Sequence, residues 1–141
     1  MSARIRLAET REDVARCFAV MIELRPHLEP AGFVDQVARQ QMEGYRLAFL
    51  EDAGAVQACA GYRITENLWC GRFMYVDDLV TASAARSRGF GAELFHWLKV
   101  EARAAGCKEL HLDSGVQRFA AHRFYLRERM EIRAHHFGLN L

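Results

Sequence analysis

The sequence predicts an α/β domain of the α+β kind: a mixed, mostly antiparallel sheet carrying helices, with one parallel strand pair. Three observations lead there. Apolar residues recur at helical spacing in two early stretches. The middle of the chain switches to short apolar runs separated by turns, which reads as a meander. The second half then alternates strand, helix and strand, and such a crossover implies a parallel pair. The expected order is β-α-α-β-β-β-α-β-α-β over a single domain, residues 1–141.

Arg4 to Leu7 suits a short strand. Thr10-Arg11-Glu12-Asp13 offers a hydroxyl cap and an acid three residues later, a helix start. Val14, Cys17, Phe18, Met21 and Ile22 then give one apolar face. Pro26 ends that helix by disfavouring helical geometry in the residue before it. A second helix begins near Pro30, carries Phe33, Val37 and Met42, and stops at Gly44. Tyr45 to Leu50, Ala55 to Ile64 and Arg72 to Thr81 are the three meander strands, the first two joined by the turn Glu51-Asp52-Ala53-Gly54. Residues 89–105 return to helical spacing through Leu94, Trp97, Leu98, Ala102 and Ala105, with Gly106 as the stop. Lys108 to Leu112 is a short strand. Val116, Phe119, Ala120 and Phe124 mark a further helix, and Met130 to Phe137 a last extended segment.

Bulk properties exclude several classes. With 141 residues, about half of them apolar, the chain can bury one ordinary core. A net charge of +1 gives no pull toward nucleic acid or an anionic membrane. No apolar run is long enough to span a bilayer, and the first residues lack the apolar core of a secretory signal. Four scattered cysteines with no Cys-x-x-Cys pair read as free thiols of a cytoplasmic protein rather than disulfides or a zinc site. His135 and His136 are adjacent and face opposite ways on a strand, a poor ligand pair, so no metal is expected.

The strongest local signal is Arg86-x-x-Gly89-x-Gly91, set between a strand and an amphipathic helix. The first N–H groups of a helix lack internal partners and sit at the positive end of its dipole. Glycine lets a ligand approach the backbone there. Arg86 and Arg88 add charge. Read alone, the segment is equally a tight strand-to-helix turn. It is no Walker loop, because Ala92-Glu93 follow Gly91. The dinucleotide fingerprint fails too, because position 94 is Leu.

This turn, the acidic strand Tyr75-Val76-Asp77-Asp78-Leu79-Val80 before it and Ala121-His122-Arg123-Phe124-Tyr125 after it occur together in order. On these segments the chain resembles the GNAT superfamily of N-acetyltransferases over essentially its whole length. The resemblance implies a fold whose parallel strands splay apart, and acetyl-coenzyme A as the cofactor. It places the pyrophosphate on the amides of Ser87, Arg88, Gly89, Phe90, Gly91 and Ala92, and pairs the pantetheine arm with Leu79, Val80 and Thr81. Relatives commonly carry Asn where this chain has Arg118, which is expected to reach a phosphate instead. They also carry Leu-Gly-Phe where this chain has Glu128-Arg129-Met130.

The same resemblance makes Tyr125 the expected acid for the leaving thiolate. A phenol, with a pKa of about 10, stays protonated at neutral pH; the alternative is a packed aromatic that only anchors sulfur. A base is needed because an alkylamine is mostly protonated, with a pKa near 10.4. Asp77 or Asp78 can serve, directly or through water. Polyamine-acetylating relatives have an acid at the Asp77 position, so Asp77 is preferred, with Glu66 a weaker rival. Alternatively Asp77 only organises substrate charge. The Leu79 N–H is the implied oxyanion donor. Cys107 has no evident base, which favours direct transfer. His111 reads as a hydrogen-bonded histidine beside the cofactor, with Asp113 close by. Arg25 and His27, between the first two helices, are candidates to select a carboxylate or phosphate on the acceptor.

The expected activity is N-acetyltransfer to the primary amine of a small molecule. Acetylation of a protein N-terminus or lysine, or non-catalytic sensing of acyl-coenzyme A, are the competing readings. A homodimer is expected by resemblance alone.

Overall fold

The computed structural model describes residues 3–141. They fall into two compact units, one reaching to His111 and one formed by Leu112–Leu141.

The first unit opens with β1 (Arg4–Leu7), α1 (Arg11–Arg16), α2 (Phe18–Leu24) and α3 (Pro30–Met42). The Thr10 hydroxyl accepts from Asp13 N at 3.1 Å, so the expected cap forms. The single helix expected after it is broken at Cys17, whose N–H bonds Val14 O in a tighter turn. The two pieces still present Val14, Cys17, Val20 and Met21 to one core. Arg25, before Pro26, leaves helical geometry with φ −122° and ψ 73°.

The meander comprises β2 (Arg46–Asp52), β3 (Ala55–Asn67) and β4 (Gly71–Thr81); α4 (Phe90–Ala104) leads into β5 (Glu109–Leu112). The sheet order is β1-β2-β3-β4-β5, antiparallel through β4, with β5 parallel to β4. Both faces of β2 are covered, which explains its unbroken apolar run. Leu47 and Phe49 join the core under α1–α3. Ala48 and Leu50, at alternate positions, are equally buried, and α4 packs on β2, β3 and β4 through Leu94, Phe95 and Leu98.

Two irregularities shape the acidic stretch of β4 and its surroundings. The β3–β4 register slips so that Gly61 pairs Asp78 while Tyr62 pairs Val76, leaving Asp77 as the extra residue of a bulge. Adjacent strand residues ordinarily face opposite sides, but strict alternation fails at a bulge, so adjacency alone does not sort Asp77 from Asp78. In addition, Tyr45 lies across Gly61: a Cβ there would overlap the Tyr45 hydroxyl.

In the second unit α5 (Phe119–Arg127) is the one helix. The extended segment expected over 130–137 forms no strand ladder. Its apolar positions alternate at Met130, Ile132 and Ala134, then change parity across His135-His136 to Phe137, so no continuous face exists to bury. Ile132 and Phe137 are exposed.

Candidate active site

The glycine turn sets a row of backbone donors at the start of α4. Gly89 takes the left-handed conformation, φ 83°, and stands immediately before α4. Glu93 N closes the first helical bond on Gly89 O at 3.0 Å. Among the described residues, the backbone N–H groups of Ser87, Arg88, Gly89, Phe90, Gly91 and Ala92 have no acceptor in the protein. Such a row at a helix start suits a pyrophosphate. The arginines are partly committed elsewhere. Arg88 donates to Asp52 at 3.0 Å and lies over the Phe90 ring, while Arg86 stands 4.0 Å from Glu23.

Leu79, Val80 and Thr81 pair with Ala60, Cys59 and Ala58 of β3 on one edge. β5 meets β4 at its start, where Lys108 N donates to Arg72 O at 2.8 Å. With four residues, β5 is too short to run alongside an eleven-residue strand to the level of Leu79. The other edge of Leu79–Thr81 is thus left beyond the end of β5.

Asp77 and Asp78 have separate surroundings. Both Asp77 oxygens accept from Arg63, at 2.8 and 2.9 Å, and Arg63 also lies over Tyr75. The paired carboxylate holds the Arg63 guanidinium above its ordinary range. Asp78 accepts from Tyr45 Oη at 2.8 Å and Arg25 Nε at 3.0 Å, while Arg25 Nη2 donates to the Asp77 carbonyl at 2.9 Å. Burial first, and then the Asp78 charge, push the Tyr45 phenol well above its ordinary value, so it remains a donor. Glu66 pairs across from Arg72 near the hairpin turn, away from both aspartates.

Asp78, Tyr45 and Arg25 belong to the wall of a cavity of about 280 Å³, together with His27, Gln36 and Gln40. The Gln36 amide donates to Gln40 at 2.9 Å. Tyr45, Gln36, Gln40 and Arg63 were not singled out from sequence. Gln36 and Gln40 lie on α3, Tyr45 just before β2 and Arg63 on β3, and no shared motif marks them in the sequence.

In the second unit, Tyr125 is half-buried on α5, its ring edge-on to Phe124 with centroids 5.6 Å apart. Burial raises its pKa, against a smaller pull from the positive charge of Arg118. Arg118 thus stands beside Tyr125. His111 pairs with Glu109, Nε2 to Oε1 2.7 Å, while Asp113 stands 3.5 Å from His136. Burial also raises the Cys107 thiol, against a weaker pull from Arg72, which leaves it a poor nucleophile. All four cysteines are free. Among the described residues, no helix is long and apolar enough to cross a membrane.

A model of the Acetyltransferase (GNAT) family matches residues 7–129. The chain belongs to the GNAT acetyltransferase family. Within the family, it is 34% identical over 117 residues to the uncharacterized N-acetyltransferase YhdJ of Bacillus subtilis, covering 82% of each chain. It is 31% identical over 125 residues to the aminoalkylphosphonate N-acetyltransferase of Salmonella typhimurium, covering 84% of this chain and 79% of the relative. The crystallised aminoglycoside N-acetyltransferase AAC(6')-Iy, in complex with CoA, superposes with a TM-score of 0.87 over 99% of this chain and 95% of its own, at 12% identity; that likeness speaks for the fold. This GNAT chain is an acetyl-CoA-dependent N-acetyltransferase.

Proposed function

We propose that this enzyme acetylates the primary amine of a small molecule that also carries an anionic group. The observation that carries the reading is the cavity holding Asp78 and Arg25 together. A carboxylate there suits a substrate ammonium. The Arg25 guanidinium spends two donors on Asp78 and the Asp77 carbonyl and has others to offer. His27 and the Gln36–Gln40 pair add polar atoms. An aminoalkylphosphonate has this charge pattern, and the Salmonella relative is named for that substrate class.

In this reading the free N–H groups from Ser87 to Ala92 hold the pyrophosphate of acetyl-CoA, and the open edge at Leu79, Val80 and Thr81 takes the pantetheine arm. The bound cofactor supplies an acetyl thioester. Asp78, oriented by Tyr45 and Arg25, draws in the ammonium. Asp77, clamped by Arg63, takes the surplus proton through a water, since both its oxygens are already engaged. The Leu79 N–H supports the developing oxyanion. Tyr125, kept protonated by burial, gives its proton to the departing sulfur, and Arg118 beside it stabilises the phenolate that results. The free thiols suit a reducing cytoplasm.

The test is thiol release from acetyl-CoA across an amine panel: aminoalkylphosphonates, amino acids, plain alkylamines and lysine peptides. Preference for amines bearing an anion supports the proposal. Preference for lysine peptides or unprotected protein N-termini would replace it with protein acetylation. Cofactor binding without amine-dependent release would make the chain a sensor. Tyr125→Phe is expected to lose turnover and keep cofactor binding; unchanged turnover would remove Tyr125 from the mechanism.

A further inference from the structure

Away from this site, the start of β4 and the strand β5 bring together three side chains that the acetyl-transfer reading does not use. Cys70 lies in the turn between β3 and β4. Glu109 and His111 are two apart on β5 and so share one face of it. The Cys70 sulfur, a Glu109 oxygen and a His111 nitrogen all lie within 4.8 Å of one another. We infer that Cys70, Glu109 and His111 form a binding site for a zinc-like divalent cation, which fastens the β3–β4 turn to β5.

The donor set is the first argument. Thiolate, imidazole and carboxylate together suit a borderline-soft divalent ion, and three such ligands with one further oxygen complete a tetrahedron. From metal–ligand lengths of about 2.0–2.3 Å, ligand atoms in such a site lie about 3.4–3.6 Å apart. Glu109 and His111 stand at 2.7 Å and must open slightly, while Cys70 must close by about 1 Å at most, a change that side-chain torsions supply. The fourth donor is within reach: Asn67 Oδ1 stands 3.1 Å from the Cys70 sulfur and also caps the turn by accepting from Cys70 N at 2.9 Å. A water is the alternative.

The setting is the second argument. Both β5 ligands sit on a strand, and the thiol sits in a turn closed by its own hydrogen bonds, so the site is held by the backbone rather than by loose chains. The His111 ring is fixed edge-on by Trp69 and Phe73, with centroids 5.1 and 5.2 Å away. Its side chain is 19% exposed and that of Glu109 31%, enough for an ion to enter and little enough to keep it partly dry. Binding exchanges the thiol proton for the metal: the S–H bond breaks, the sulfur–metal bond forms, and one proton leaves to solvent. The site lies where Lys108 N meets Arg72 O, at the end of β4 remote from Leu79–Thr81. It ties the closed end of the parallel pair and stands apart from the reacting groups.

The test uses the whole chain, reduced, stripped with chelator and titrated with Co²⁺ and then Zn²⁺. One cobalt per chain is expected, with tetrahedral visible bands and a thiolate charge-transfer band that zinc displaces, and with release of about one proton. Cys70→Ser is nearly isosteric and keeps the fold. It should abolish the thiolate band and weaken binding at least about tenfold. His111→Ala should also weaken binding, whereas Cys107→Ser should leave it unchanged. Zinc should raise the thermal midpoint of the parent protein and not of Cys70→Ser. Absence of stoichiometric cobalt, a spectrum without the thiolate band, or equal binding by the parent and Cys70→Ser would each overturn the assignment.

Discussion

Gly61→Ala tests how the cavity beside Asp78 is held. The added methyl would occupy the space of the Tyr45 hydroxyl and crowd the ring carbons next to it. Tyr45 is 4% exposed and cannot swing aside without disturbing its neighbours. Overpacking of this sort costs about 1–3 kcal/mol. Displacement of the phenol also gives up its 2.8 Å bond to the Asp78 carboxylate, and hydrogen bonds to charged groups contribute about 1.5–3 kcal/mol. The two losses describe one movement and overlap, so about 2–4 kcal/mol is expected. An unfolding entropy of about 2.1 cal/mol/K per residue over this chain gives about 0.3 kcal/mol/K, hence a thermal midpoint lower by about 7–14 °C. The assays are thermal and urea unfolding with Tyr45→Phe and the double variant alongside. Tyr45→Phe removes the hydroxyl in advance, so Gly61→Ala should cost about 1–2 kcal/mol less in that background. At a temperature where the variant remains folded, the amine KM should rise more than the acetyl-CoA KM, because Asp78 loses the group that orients it. A midpoint within about 2 °C of the parent, or strictly additive costs in the double variant, would refute the packing argument.

Three further outcomes rest on the same geometry. Asp78→Asn should raise the KM of an amine bearing an anion at least about tenfold, because a charged partner contributes about 1.5–3 kcal/mol, with acetyl-CoA binding retained by isothermal titration. Equal loss of cofactor affinity would place Asp78 elsewhere. Stability should fall as pH rises from about 10 through about 12: burial, the larger cause, and then Glu101 push the Tyr62 phenol up to about 12, so the folded chain holds a proton that the unfolded chain releases near 10. Tyr62→Phe should flatten that decline in urea midpoints, and native phenolate absorbance that completes near pH 10 would contradict it. Thr10→Ala should cost about 1 kcal/mol, or about 3 °C, through the lost cap on α1; an unchanged midpoint would show that tertiary contacts alone hold that helix start.

The elements legible in the sequence were those specified by local chemistry. Thr10 caps its helix because a hydroxyl three residues before an N–H needs no distant partner. Gly89 marks the start of α4 because the left-handed turn there is tolerated by few other residues. The meander could be read from apolar runs and turns, and the order of turn, acidic strand and Phe124-Tyr125 was enough to indicate the family. The break at Cys17 and the unformed strand at 130–137 were harder to read. A helix period survives a one-residue change in hydrogen bonding, and a strand depends on a partner that its own residues do not supply.

The sequence by itself determined the fold class and the place of the glycine turn, since these rest on contiguous residues whose backbone geometry is local, and the cofactor followed from the family resemblance that those segments carry. Tertiary structure alone decided what each aspartate touches. A bulge between β3 and β4 removed the alternation that would have sorted Asp77 from Asp78. Arg63 then claimed one, while Tyr45 and Arg25 claimed the other. The same holds for Cys70, Glu109 and His111, which are distant along the chain and meet only because β4 and β5 start side by side. Pairing between strands fixes such neighbours, and no periodicity within one segment encodes it.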